Sequence, residues 1–247
     1  MNKIKYIICF LLCLSCLIGK SQDNKAYVTI SKEETVKLLQ QVNHWYASTK
    51  TYSFSIIHST YAGHKATVPY DQKKGYFKKF SSGFHSYVAG LHSLQNKNYL
   101  IIIDSVKKII LVNDPKNFEN NGFSSDDYIK ALDKCNSLKI SDDGKIKTVR
   151  MEFAKNAPVA SYELGINKQG NFHAITICYA REVKSLQGEM VKPKLNILFE
   201  KYSGVCTPER NELNDAVFFS VNANVLKLRD EYKDYKLLDQ RIKNEKP

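Results

Sequence analysis

The pattern of apolar and polar positions changes period several times along this chain, and each change predicts an element. Ser31-Lys32-Glu33-Glu34 reads as a capping box, and Val36, Leu39, Val42 and Trp45 then recur at helical spacing. After Thr49 the period drops to two. Tyr52 to Tyr61, Gly75 to Phe80, Phe84 to Ala89, Tyr99 to Asp104 and Lys108 to Asn113 alternate as strands. A second helix is signalled by Ser124-Ser125-Asp126-Asp127 ahead of Tyr128, Ile129, Leu132 and Cys135. Asp142-Asp143-Gly144-Lys145 then turns Leu138 to Ser141 into Ile146 to Phe153, and Asn167-Lys168-Gln169-Gly170 turns Ala160 to Ile166 into Phe172 to Val183. The signal weakens beyond Pro208, where a strand or short helix from Ala216 to Leu228 precedes a charged tail that can lie on a sheet edge.

Two hairpins carry more than their existence. Pairing about Asp104-Ser105-Val106-Lys107 sets Ile103 opposite Lys108, Ile102 opposite Ile109, Ile101 opposite Ile110 and Leu100 opposite Leu111, which makes both faces apolar. An antiparallel sheet with one face in water alternates instead. These strands are therefore expected to be covered on both sides, by helices in a concave sheet or by a bound apolar ligand. In the hairpin centred on Gly188, Ile177 is expected opposite Phe199, Tyr179 opposite Ile197 and Cys178 opposite Leu198. The fold class that follows is mainly β (α+β): a curved antiparallel sheet or half-barrel with an N-terminal and a mid-chain helix packed on its concave face.

The first residues place the protein outside the cytoplasm. Lys3 and Lys5 form a positive start, Tyr6 to Gly19 is an uncharged apolar run, and Gly19-Lys20-Ser21 supplies small residues at a cleavage site. A signal peptide over residues 1–21, cut after Ser21, is expected. The run is short of the ~20 residues that span a bilayer, and neither Cys13 nor Cys16 has the flanking residues of a bacterial lipobox. A periplasmic chain without a transmembrane segment is therefore favoured over an outer-membrane lipoprotein. Residues 22–247 are then expected to form a single extracytoplasmic β-rich domain with a charged tail.

Cleavage lowers the net charge from +12 to +9, with 34 Lys and Arg against 25 acids once Lys3, Lys5 and Lys20 are gone. The lysines alternate with apolar residues in no longer cluster than a pair, so solvated strand faces explain them, and nucleic acid is not an expected partner. Cys135, Cys178 and Cys206 remain, which allows one disulfide and leaves one thiol. Cys178 with Cys206 is disfavoured by the expected register, whereas Cys135 with Cys206 stays open.

No residue pattern announces a chemistry. His44, His58, His64, His85, His92 and His173 have no metal-ligand spacing with one another, with cysteine or with carboxylate. Asp142-Asp143-Gly144 lacks the later ligands of a calcium loop. A phosphate loop and a nucleophile elbow are absent as well. No metal, no cofactor and no enzymatic activity are expected.

Lys73-Lys74-Gly75-Tyr76-Phe77, followed by Tyr99 to Asp104 and Lys107 to Val112, is a strand pattern that resembles the bacterial lipoprotein-localisation-factor superfamily over about residues 32–199. The resemblance implies a half-barrel whose concave face, closed by helices, holds acyl chains. It also implies an early-strand arginine that latches the lid. The mature chain has no arginine before Arg150, and a lysine can donate to the same carbonyls without the planar fork. On this reading the protein binds a lipid or lipoprotein acyl chain, with Phe54, Ile56, Tyr76, Tyr87, Ile101 and Ile110 as candidate pocket-lining residues. The alternative is an accessory component of a cell-envelope assembly, with an envelope protein as partner and no small ligand. An enzyme without a recognisable motif is the third reading.

Overall fold

The first helix forms where its cap lies. In a computed structural model that describes residues 26–115, 125–185, 188–209 and 211–242, α1 runs Lys32–Ser48. The Ser31 hydroxyl accepts from the Glu34 N–H at 3.1 Å, and the Glu34 carboxylate accepts from the Ser31 N–H at 3.1 Å. Its fully buried stripe is Thr35, Leu39, Val42 and Tyr46, with Val36 and Trp45 on the flanks. The stripe keeps the predicted centre at Leu39 and Val42, with Thr35 and Tyr46 in place of Val36 and Trp45 as its fully buried ends. Tyr46 reaches the sheet because its hydroxyl has polar partners there, whereas Trp45 lies edge-on to Tyr46. The expected signal peptide, Ser124 and the last residues of the tail lie outside the described residues.

The strands that follow α1 are β2 Tyr52–Tyr61, β3 Asp71–Phe80, β4 Gly83–Val88, β5 Leu91–Gln95, β6 Leu100–Asp104 and β7 Ile109–Asn113. The second helix is α2 Asp126–Ala131, continued by a 3-10 turn over Leu132–Lys134. After it come β8 Cys135–Asp142, β9 Ile146–Phe153, β10 Val159–Asn167 and β11 Phe172–Tyr179. A small hairpin, β12 Val183–Lys184 with β13 Met190–Val191, precedes β14 Lys194–Ser203. A second hairpin, β15 Phe219–Asn222 with β16 Val225–Leu228, precedes β17 Lys236–Asp239. With the short β1 Val28–Thr29, thirteen strands form one open sheet in the order β1-β8-β9-β10-β11-β14-β2-β3-β4-β5-β6-β7-β17. All neighbours in it are antiparallel except β17, which adds to β7 in parallel. The charged tail therefore does take the sheet edge. The protein is mainly β, a curved open sheet with both helices on its concave face.

Both informative hairpins pair with a slip from the expected register. Ile103 stands opposite Ile110 and Ile101 opposite Val112, two positions on. The Asp104 side chain accepts from the N–H groups of Val106 and Lys107, at 3.1 and 2.8 Å, which makes Ser105 to Lys108 the connection. In the other hairpin Cys178 stands opposite Lys194, because β11 stops at Tyr179 and the chain beyond folds on itself as β12–β13. Both slips are even in number. Side chains alternate with period two, so every residue keeps the face it was assigned.

Following the pairings across the sheet sorts the apolar residues into two cores on opposite faces. The inner core lies between the concave face and the helices, and includes Tyr52, Phe54, Phe77, Met151, Leu164, Phe172 and Phe199 against Leu39, Val42, Tyr46 and Leu132. The outer core lies behind β5–β7, where Leu94, Ile101, Ile103, Ile110 and Val112 pack against Phe219 and Leu226 from the C-terminal segment. The strands expected to be covered on both sides are thus covered outside by a third element, a C-terminal hairpin rather than a helix. Gly75 and Gly83 let β4 cross close by: a Cβ at either would stand 2.1 Å from a carbonyl oxygen of the neighbouring strand.

Candidate functional site: a cleft on the concave face

The six candidate lining residues occupy three places. Phe54 and Ile56 are inner core, 2 and 5% exposed. Phe54 stacks on Phe77 at 5.4 Å between ring centroids and meets Phe199 edge-on at the same distance. Ile101 and Ile110 are fully buried in the outer core, on the other side of the sheet. Tyr76 and Tyr87 pair across β3 and β4 on the outer face too, 6.2 Å apart, beside His85 and His92.

The middle of the concavity is filled by side chains. Tyr46 at the end of α1 shares a hydrogen bond with Tyr202 (2.9 Å) and accepts one from the Phe172 N–H (3.3 Å), while Tyr202 donates to the Phe172 carbonyl (2.7 Å). Burial drives the phenols of Tyr46 and Tyr202 far above their ordinary range, so both stay neutral. Lys79, 7% exposed, closes the end of α1 by donating to the carbonyls of Tyr46 (3.0 Å) in its last turn and of Thr49 (3.2 Å), its C-cap. Burial lowers the pKa of Lys79.

An opening remains on the same face where α2 meets β9 and β10. This cleft has a volume of about 300 Å³ and is walled by Ala131, Phe153, Ala157, Pro158, Val159 and Tyr162. Phe153 meets Tyr162 edge-on at 5.4 Å and Tyr128 meets Tyr162 at 5.5 Å, so the back wall is aromatic. Burial pushes the Tyr128 hydroxyl up to about 12. Lys130 from α2 and Lys134 from the 3-10 turn after it stand at its border together with Asp127, which pairs with Lys130 at 3.5 Å. The register shift between Val159 and Ser161 turns Val159 toward the cleft. That irregularity explains why the sequence did not reveal the site. Strict alternation from Tyr162 back along β10 gives the inward positions to Ala160, not Val159.

A larger trough of about 660 Å³ lies on the outer face, lined by Arg150, Glu152, Glu163, Thr176, Lys194 and Asn196 among others. Its arginine is compensated by two glutamates. Arg150 lies 3.0 Å from Glu152 and 3.3 Å from Glu163, and Lys194 donates to the Ala66 carbonyl at 2.7 Å. Among the described residues no group of three His, Cys, Asp or Glu could hold a metal ion, and Cys135, Cys178 and Cys206 are all free thiols.

No protein-family model and no curated protein matches the chain. The chain weakly resembles solved lipoprotein-carrier-like structures. A LolA superfamily protein from Nitrosomonas europaea is 9% identical, with a TM-score of 0.32 over 76% of this chain and 99% of that one. The lipoprotein LppX of Mycobacterium tuberculosis is 7% identical, with a TM-score of 0.37 over 72% of this chain and 99% of its own. An uncharacterised conserved protein from Thermus thermophilus is 7% identical, with a TM-score of 0.43 over 84% of this chain and 99% of that one. The functional reading below rests on the cleft and its surroundings.

One titratable cluster ties the C-terminal segment to the sheet. The Glu212 side chain, 6% exposed, lies 2.7 Å from the Lys78 ammonium and 3.3 Å from His85 Nδ1, and accepts from the Glu209 N–H at 3.1 Å. Burial alone would raise its pKa, but the Lys78, Glu209 and His85 hydrogen bonds outweigh burial and hold it below the usual glutamate range. A depressed carboxyl stabilises the fold above its unfolded pKa and loses that stabilisation as pH falls below it. The segment around Glu212 is therefore expected to loosen as pH drops through and below 4.5. In Glu212→Gln the part of that loss due to this carboxyl should vanish, while stability at neutral pH falls. Hydrogen exchange of β15 and β16 between neutral and acidic pH reads both effects, and an unchanged acid response in the variant would remove Glu212 from the account.

Proposed function

We propose that this protein is exported to the periplasm and binds a lipid or lipoprotein acyl chain on the concave face of its sheet, in the cleft between α2 and β9–β10. The cleft carries the reading. Its walls are aromatic and aliphatic, its volume is at the lower end of the ~300–1,000 Å³ of small-molecule sites, and two lysines stand where an anionic head group would lie. A chain buried there would trade water for apolar contact at ~25 cal/mol per Å². Ile102, Ile109 and Leu111 add a partly exposed aliphatic strip further along the same face, outside both cores. No helix among the described residues is long and apolar enough to cross a membrane. The basic n-region and apolar run of residues 1–21 support export; the N-terminal residue of the chain recovered from the periplasm should be Gln22.

Native mass spectrometry after mild purification tests the binding. The expected spectrum contains a lipid-bound species that Ala131→Trp, which fills the cleft, removes without unfolding the protein. A clean apo mass for the unaltered protein would overturn the reading. One observation favours the accessory-component alternative: the concavity beside α1 is packed solid with aromatics, as a purely structural sheet-and-helix layer would be. In-cell crosslinking that recovers a stoichiometric envelope protein, together with an apo mass, would select it.

A further inference from the structure

The strands of the sheet end at two opposite rims, and the rims differ in chemistry. At one rim lie the loops 62–70 between β2 and β3, 89–90 between β4 and β5, 105–108 between β6 and β7, 154–158 between β9 and β10, and the described residues 180–185 and 188–193 between β11 and β14. This rim carries Val68, Tyr70, Leu91, Val106, Val183 and Met190, all exposed. Scattered singly, exposed apolar residues need no explanation. Gathered at one end of a sheet, they do. The opposite rim turns through Ser81-Ser82, Asp143-Gly144-Lys145 and Lys168-Gln169-Gly170, and exposes fewer large apolar residues among the described ones, Val205 beyond β14 and Ile242 beyond β17.

The apolar rim is also basic. Loops 62–70, 105–108 and 154–158 contain Lys65, Lys107, Lys108 and Lys155 and no acid, and residues 180–185 with 188–193 set Arg181, Lys184 and Lys192 against Glu182 and Glu189, so the rim keeps a positive excess. Lys107 lies 3.7 Å from Asp104 and Lys108 lies 3.8 Å from Asp234, surface pairs that hold little energy. Val106 itself is 80% exposed and lies against Gly90, where a Cβ would stand 3.2 Å from its methyl group, so two tips adjoin. The turn between β4 and β5 is Ala89-Gly90 with φ of 54° and 90°, a geometry that usually takes Asn-Gly; alanine there keeps the tip apolar. The proposed acyl cleft opens at this same end, since Pro158 and Ala157 of its wall belong to the rim loop 154–158.

The geometry points to a membrane-docking surface: this rim rests on an anionic lipid bilayer, its valines entering the head-group layer and its lysines meeting lipid phosphates, with the cleft facing the lipid. Apolar tips flanked by lysine meet the two terms that hold peripheral proteins on membranes, burial of apolar area and attraction to anionic lipid. A protein partner would need no such match to negative charge along an apolar edge. The inference rests on the acyl-binding reading for its purpose, but not for its geometry.

Vesicle flotation of the mature chain tests it. Vesicles of phosphatidylglycerol and phosphatidylcholine should carry the protein at low salt, and pure phosphatidylcholine or high salt should carry several-fold less. Val68→Ser with Val106→Ser should weaken flotation about tenfold, and Lys107→Glu with Lys108→Glu should abolish the preference for phosphatidylglycerol. Val205→Ser, at a valine of equal exposure on the polar rim, should change nothing. A protein that stays at the bottom of the gradient with anionic vesicles at low salt, or a Val205→Ser loss equal to that of the rim pair, overturns the proposal. A fluorescent fatty acid in free solution separates it from acyl binding: Ala131→Trp should stop uptake of that probe and leave flotation intact. If the unaltered protein floats but takes up no probe, docking stands and the cleft assignment falls.

Discussion

Phe54→Ala is expected to cost about 3–5 kcal/mol of folding stability. The ring is 2% exposed and is held on several sides at once: it stacks with Tyr52 and Phe77, meets Phe199 edge-on, and lies 5.0 Å from Tyr202. Removing it leaves a void that close-packed neighbours cannot fill without shifting, so a cavity cost adds to the lost transfer energy. The measurement is a urea midpoint at unchanged slope. A loss under about 1 kcal/mol would mean that Phe54 faces an open space, and would return it to the lining of a binding pocket.

The second large effect is expected at Phe219, far along the chain in a segment whose pattern is weak. Phe219 is 1% exposed, packs edge-on to Tyr99 at 5.4 Å, and covers the outer core of Ile101, Ile103, Ile110 and Val112. Phe219→Ala should cost about 3–5 kcal/mol and should do so locally. Amide exchange in β6 and β7 should accelerate together with that of β15 and β16, ahead of the strands around α1, because the two cores share a sheet but not a cluster. Uniform acceleration across the sheet would instead mean one cooperative unit. Unchanged exchange in β6 and β7 would show that the C-terminal segment does not protect them.

These two residues mark how far the chain could be read in one dimension. Phe54 sits in a strongly alternating strand, and its burial could be expected from its neighbours; whether it lined a pocket or filled a core could not, since alternation reports a face and not a volume. Phe219 lies where neither period is sustained, so its role depends on a sheet face more than a hundred positions away. The cleft is a similar case. Lys130 and Ala131 come from α2, Lys134 from the 3-10 turn after it, and Phe153, Pro158 and Val159 from two strands and their turn, with a bulge deciding which side chain of β10 points in.

What the sequence determined by itself was what nearby residues settle among themselves: the Ser31 to Glu34 cap, the turns at Gly144 and Gly170, most of the strand segments, though not β5 or the end of β11, and the face of each residue in the two hairpins, which survives an even slip in register. Tertiary structure alone decided the registers, the order β11-β14-β2 that joins the two halves of the chain, and the split of the apolar residues into two cores on opposite faces. It also decided that a C-terminal hairpin covers the outer one. The physical reason is range. Caps, turns and alternation are set by hydrogen bonds and side-chain directions within a few residues, whereas a cover, a cleft or a rim exists only when distant segments compete to bury the same apolar surface, and the winner is the one that fits.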